Sequence, residues 1–142
     1  MAQEVLPRDL EVLVEAQVKH TESKDKVAQA VSNLFKNGDL RVEDDRIFFV
    51  SENVECLRFL KDQLRDRHVR AAARRLLLSN SEEGTFQTYL LLNKQAATAG
   101  VAALCDDPSE SALGPIVLRI RSEHLQDVII WLTYGFEGAE TS

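Results

Sequence analysis

The stretch LEVLVEAQVK, Leu10 to Lys19, sets Leu10, Val12, Val14, Ala16 and Val18 at alternate positions, with Glu11, Glu15, Gln17 and Lys19 between them. A period of two marks a strand with one face buried and the other in water. Leu13 is the apolar exception on the outer side. The alternation returns late in the chain, where Pro115 opens a strand with Ile116, Leu118 and Ile120 set against Val117, Arg119 and Arg121. Strands that keep a polar outer face belong to an antiparallel sheet covered on one side only.

Working outward from Leu10–Lys19, Thr21 or Ser23 can cap a helix whose apolar side is Val27, Ala30, Val31, Leu34 and Phe35, with Gly38 ending it. Leu40–Val42 and Ile47–Val50 read as a hairpin around Glu43-Asp44-Asp45. Ser79 to Gly84 is a loop, Thr85–Leu92 a strand, Asn93–Ala97 a short helical turn and Val101–Leu104 a further strand. Asp106–Gly114 is an acidic loop. Ser122 caps a last helix with Leu125, Val128, Ile129 and Leu132 on one side, and the tail from Gly135 is expected to fray. The order β-α-β-β-α-α-β-β-β-α predicts an α+β fold, a mostly antiparallel sheet with helices packed on one face. No linker or repeat divides it, so the expectation is one domain over residues 1–142 with its core at about residues 9–134.

The segment from Cys56 to Leu78, CLRFLKDQLRDRHVRAAARRLLL, is helical in pattern but not in one phase. Cys56, Leu57, Leu60 and Leu64 define an apolar face opposite Arg58, Lys61 and Arg65. Continuing that phase would bury Arg67 and expose Leu76. A second phase, with Val69, Ala72, Ala73, Leu76 and Leu77 inward and Arg67, Arg70 and Arg74 outward, predicts a break near Arg65–Arg67 with Asp66 as N-cap of the second helix.

That break leaves two basic stripes. The 142-residue chain carries a net charge of −6, yet Arg58–Arg75 alone holds seven Lys or Arg against two Asp, so the remainder stands at −11. Arginine pairs with phosphate through a planar fork, so Arg58, Lys61, Arg65, Arg67, Arg70, Arg74 and Arg75 are candidate RNA contacts. Lys94, at the end of a strand, is added as a polar loop candidate. The competing reading is a solvated face paired with Asp62, Asp66, Glu82 or Glu83. Arg119 and Arg121 share the outer face of the last strand, where they either extend a positive surface or, if the first and last strands are neighbours, form cross-strand pairs with Glu11 and Glu15, the pairing being the expectation.

Other chemistry finds little support. His20, His68 and His124 lack ligand spacing, and Asp106–Glu110 lacks the EF-hand pattern, so no metal is expected. There is no phosphate loop, nucleophile elbow or CxxC, and Cys56 and Cys105 sit in apolar surroundings, as buried thiols do. No cofactor, small-molecule substrate or catalytic group is predicted. The longest apolar run, Val128–Leu132, is too short to span a membrane, and a cytoplasmic protein is expected. Most aromatics lie in patterned segments, leaving Tyr134 and Phe136, so any RNA would be read by shape and phosphate.

Four segments, VEAQVKHTE (Val14–Glu22), AVSNLF (Ala30–Phe35), LLNKQAATAG (Leu91–Gly100) and SALGPIVLRI (Ser111–Ile120), together resemble a UPF-type archaeal family of small uncharacterised proteins grouped as RNA-binding. The resemblance runs from about Leu10 to Leu132. That family is similar in fold to the large-subunit ribosomal protein that holds 5S rRNA, which implies an α/β sandwich and a structured RNA partner. It has no catalytic or binding motif to carry over, and Asn93–Ala97 and Leu113–Ile116 match without a chemical role. Two alternatives stay open. One is a protein-interaction module, most simply a homodimer; the other is an enzyme with a site assembled near Lys94 and Asp106–Glu110.

Overall fold

The computed structural model describes residues 9–134. Among these, six strands form one antiparallel sheet in the order β2-β3-β1-β6-β4-β5. Their ranges are β1 Leu10–Gln17, β2 Asp39–Val42, β3 Arg46–Ser51, β4 Gln87–Leu92, β5 Leu104–Cys105 and β6 Ile116–Ser122. The helices are α1 Lys24–Leu34, α2 Arg58–Asp66, α3 Arg70–Ser79, α4 Lys94–Thr98 and α5 Leu125–Thr133. The fold is α+β, as the alternation of Leu10–Lys19 requires. Leu10, Val12, Val14 and Ala16 are buried, as are Ile47, Phe49, Leu118 and Ile120 on the flanking strands. All of them face the side on which the helices pack. Each fully buried Leu or Ile contributes about 1.5–3 kcal/mol over an exposed one.

The break between the two basic helices is made differently from the expectation. Asp66 is the last residue of α2, and Val69 stands at the N-cap of α3 with no side-chain cap. The chain turns because His68 adopts φ 58°, in the left-handed region. The Val69 N–H donates to Leu64 O at 3.0 Å and the His68 N–H to Arg65 O at 3.1 Å, the paired bonds of a Schellman motif. Val69 then packs against the core that holds Leu64, the apolar contact that usually accompanies this motif.

Other boundaries also moved. Ser23, not Thr21, caps α1 by accepting from the Lys26 N–H. β4 starts at Gln87, because Phe86 has φ 59° and cannot continue a strand. Of the strand expected at Val101–Leu104 only Leu104 pairs, and the strand runs on to Cys105. His124 occupies the N-cap of α5, and Ser122 accepts from the His124 N–H at 3.0 Å. Phe136 and the tail expected to fray lie outside the described residues.

Gly38 does not stop α1, which ends at Leu34. It permits a close approach: a Cβ there would lie 2.4 Å from the Phe49 ring and 2.6 Å from Val50 O. The carbonyl belongs to the β3 backbone and cannot swing aside. Gly38→Ala is therefore expected to lower stability by about 1–3 kcal/mol, the usual cost of overpacking, measured as a lower urea midpoint at unchanged slope.

Candidate nucleic-acid interface

The two helices treat their cations differently. On α2, Arg58 forks onto Glu55, with Nε–Oε1 at 3.1 Å and Nη2–Oε2 at 3.0 Å. Its guanidinium also lies 5.3 Å from the Trp131 ring centroid. Arg65 pairs with Asp66 at 3.0 Å and Asp62 at 3.7 Å. Lys61, expected on the outer stripe, is only 5% exposed, its Nζ lying 5.5 Å from the Trp131 centroid. Its aliphatic stem is buried against α5 by a contact that sequence spacing cannot foresee. The outer stripe of α2 is thus largely neutralised within its own neighbourhood.

From Arg67, the C-cap of α2 just before the turn at His68, on through α3, the cations meet neutral acceptors instead. Arg67 donates to Ala102 O at 2.7 Å and Arg70 to Tyr134 O at 2.9 Å. Arg74 Nε lies 3.4 Å from Thr133 Oγ1, and its guanidinium stacks 3.4 Å from the Tyr134 centroid. Arg75 has a long contact of 3.8 Å to Asp106 and remains 64% exposed. No carboxylate among the described residues lies within ion-pair distance of Arg67, Arg70 or Arg74. A carbonyl occupies one of five guanidinium donors and leaves the charge in place. Arg70 and Arg74 also sit at the C-terminal end of α5, where cations are favoured by the exposed carbonyls. The α3 side therefore holds oriented positive charge that nothing described cancels.

Lys94 lies elsewhere and is occupied. Its Nζ donates to Gln17 O at 2.7 Å, Leu113 O at 2.7 Å and the Glu22 carboxylate at 2.9 Å. These satisfy all three ammonium protons. Its side chain is 3% exposed and that of Glu22 8%, so it offers nothing to phosphate. The reason is topological: Asn93 caps α4 by accepting from the Ala96 N–H at 2.8 Å, which turns Lys94 inward beneath the end of β1.

The sites considered for other chemistry are reactively quiet. Burial pushes the Cys56 thiol up to about 11, and it raises Cys105 as well, with Glu110 and Asp106 adding to the effect. Both cysteines are free and buried. In the acidic loop Glu110 accepts from the Asp106 and Asp107 N–H groups. Asp107 accepts from the Ser109 backbone and hydroxyl, which holds its carboxyl below the usual range. Among the described residues no group of three or more His, Cys, Asp or Glu could hold a metal. None of the described helices is long and apolar enough to cross a membrane.

Two cations escaped the initial assignment. Arg121 pairs with Glu11 as expected, but Glu15 is taken by Arg46. That leaves Arg119 exposed on the open face of the sheet with no side-chain partner among the described residues, and Arg41 likewise on β2. The alternation of β6 was the available signal for Arg119. The neighbour that captured Glu15 was not visible without the β1–β3 pairing.

A family model described as RNA binding matches residues 11–122. A UPF0201 protein of Methanothermobacter thermautotrophicus is 36% identical over 121 residues, which is 85% of this chain and 89% of that one. A UPF0201 protein of Sulfurisphaera tokodaii is 36% identical over 126 residues, 86% of each chain. The crystal structure of a UPF0201 protein from Methanococcus jannaschii superposes with a TM-score of 0.74 at 27% identity, covering 87% of this chain and 92% of that one.

The Lys94 contacts give a direct stability test. Lys94→Met strands the Glu22 carboxylate and two carbonyls in a nearly dry junction. Breaking a buried pair from one side costs about 3–5 kcal/mol, so the urea midpoint should fall by that equivalent. A loss below about 1 kcal/mol would mean that water reaches the ammonium.

Proposed function

This chain belongs to the UPF0201 family, and from that membership, with the RNA-binding description of its family model, we propose that it binds structured RNA through Arg67 and the arginines of α3. The observation that carries the reading is the contrast between the two helices. Arg67, Arg70 and Arg74 are anchored by carbonyl and hydroxyl oxygens, whereas Arg58 and Arg65 are matched to carboxylates. Charge held in place but not neutralised suits a phosphate, because little side-chain entropy remains to be lost on contact.

Within α3, Arg70 to Arg74 spans about 6 Å along the helix axis, taking about 1.5 Å per helical residue. That is room for a few backbone phosphates rather than a long track. The Tyr134 ring is already covered on one face by Arg74, so base stacking there is disfavoured and phosphate contact is the mode that fits. The net charge of −6 opposes any polyanion at long range, which confines binding to modest salt. Lys94 and Lys61 have no part in this surface. A second reading, self-association into a homodimer, rests on the open face of the sheet and is independent of RNA.

The test uses a hairpin RNA with a double-stranded stem, titrated against the protein at several salt concentrations. Changing Arg67, Arg70, Arg74 and Arg75 together to Gln should weaken affinity at least tenfold at 50 mM salt. It should also flatten the slope of log K against log salt by about 0.7–0.9 for each phosphate contact removed. The pair Arg58→Gln and Arg65→Gln should leave both quantities nearly unchanged. Equal loss from the two sets, or none from the first, overturns the assignment to α3.

A further inference from the structure

The helices cover one face of the sheet; on the other, Leu91 and Cys105 are buried at the β4–β5 edge, while the stretch over β2, β3, β1 and β6 carries exposed and half-buried side chains. That open face follows from the strand register. Asp39, Val50, Leu13, Arg119 and Tyr89 form one cross-strand row from β2 through β3, β1 and β6 to β4. Val50 and Leu13 in the middle are half-buried, and Tyr89 is 38% exposed. The row passes through a shallow depression of about 570 Å³ whose lining includes Leu13, Val50, Asp39, Glu52, Arg119 and Arg121.

The charges of this face divide into satisfied and unsatisfied groups. Glu11 pairs with Arg121 and Glu15 with Arg46. Asp39 and Arg119, both exposed, have no side-chain partner among the described residues, and they stand at opposite sides of the Leu13–Val50 centre. With three inter-strand steps of about 4.8 Å, they are about 14 Å apart, too far to meet within one chain. A two-fold axis lying between β1 and β3, parallel to the strands, solves this. It lays Leu13 and Val50 of one copy over those of the other and sets each Arg119 against the other copy's Asp39.

We propose that the open face of the sheet is the interface of a symmetric homodimer of this chain, closed by two reciprocal Arg119–Asp39 ion pairs around a Leu13–Val50 centre. Such a contact is isologous, residue i meeting j and j meeting i, which is the commonest way for soluble chains to close an assembly. Its layers would pack as in an aligned β-sandwich. Strands of two to eight residues, at about 3.3 Å per residue and about 4.8 Å apart, give a face of roughly 500 Å² per copy, or about 1,000 Å² in total, the lower limit for a specific interface. The dimer is accordingly reversible and salt-sensitive.

A nucleic acid fits this face less well. Arg41, Arg46, Arg119 and Arg121 are matched in number by Glu11, Glu15, Asp39 and Glu52, which leaves no excess positive charge for phosphates.

Sedimentation equilibrium of the full chain between about 10 and 500 µM is the test. The unmodified protein should show a monomer–dimer equilibrium. Arg119→Glu should weaken it at least tenfold by setting like charges opposite one another, and Asp39→Arg should do the same. The double variant Arg119→Glu/Asp39→Arg should restore it, because the charges exchange places. Both residues are exposed and have no side-chain partner among the described residues, so none of these variants should move the melting temperature of dilute protein, and hairpin-RNA affinity should be unaffected. A strict monomer at 500 µM and low salt overturns the proposal. So does a dimer indifferent to Arg119→Glu, which would place the contact elsewhere, for instance at the edge strand β2. A monomer whose affinity for single-stranded oligouridine falls with Arg119→Glu would overturn it in favour of an RNA-binding sheet.

Discussion

The junction at Lys94 is the constraint on which the arrangement of the sheet depends. A buried ammonium is tolerated only where its protons are all accepted and its charge is answered. Here the acceptors come from three distant parts of the chain: Gln17 at the end of β1, Glu22 just before α1, and Leu113 in the loop leading to β6. Lys94 itself follows β4. One side chain therefore ties together the ends of β1 and β4 and the approach to β6, three strands adjacent in the sheet. The Lys94 N–H and Gly114 O both meet the Ser111 hydroxyl, at 3.3 and 2.7 Å, which fixes the loop from the other side. Asn93–Ala97 and Leu113–Ile116, which matched the family without a chemical role, meet at this point. The contacts they make there hold the strand ends together.

With those strands held, the one-sided pattern of Leu10–Lys19 does the rest. One face of every central strand is driven under the helices, and the outer face keeps its charges. The helix layer then decides which cations are cancelled. Glu55 just before α2, and Asp62 and Asp66 within it, lie at the spacings that let Arg58 and Arg65 fold back onto them, while α3 has no Asp or Glu of its own. Arg67 at the end of α2 and Arg70 and Arg74 of α3 turn to oxygens that happen to be near, Ala102 and the α5 terminus, and these are uncharged. The asymmetry between the stripes thus comes from where acids fall in sequence, not from the number of arginines.

Much of this was legible beforehand. The order of elements, the buried face of β1 and β6 and the existence of two helical phases all follow from short-range periodicity. What was missed has a common cause. The break at His68 looked like an N-cap at Asp66 because left-handed C-caps are usually Gly or Asn, and a His there carries no compositional signal; the apolar pair Leu64 and Val69 was the better clue. Phe86 hid a strand boundary for the same reason. Lys61 and Lys94 were counted as surface cations because Trp131, Glu22 and Gln17 lie more than sixty residues away in sequence. Lysines are exposed unless the fold supplies partners, and only the tertiary structure names those partners.

The charges left over after folding are more informative than the charges written in the sequence. A cation already answered by a carboxylate gains little from a phosphate, because one pairing must be broken to form the other. Arg58 and Arg65 are in that position, and Lys94 is beyond reach. Those that stay uncancelled fall into two sets with different partners in prospect. On α3 they are all positive, so only a polyanion or an acidic surface completes them. On the open sheet Arg41, Arg119, Asp39 and Glu52 have no ion-pair partner among the described residues; of these, Arg119 and Asp39 face outward about 14 Å apart on one cross-strand row, an arrangement that is complementary to itself under a two-fold axis. The two sets stand on different surfaces, α3 in the helix layer and the open face on the opposite side of the sheet. A dimer built on the sheet would therefore present two copies of α3 to solvent, and a long RNA bound at both would gain from the effective concentration of the second site.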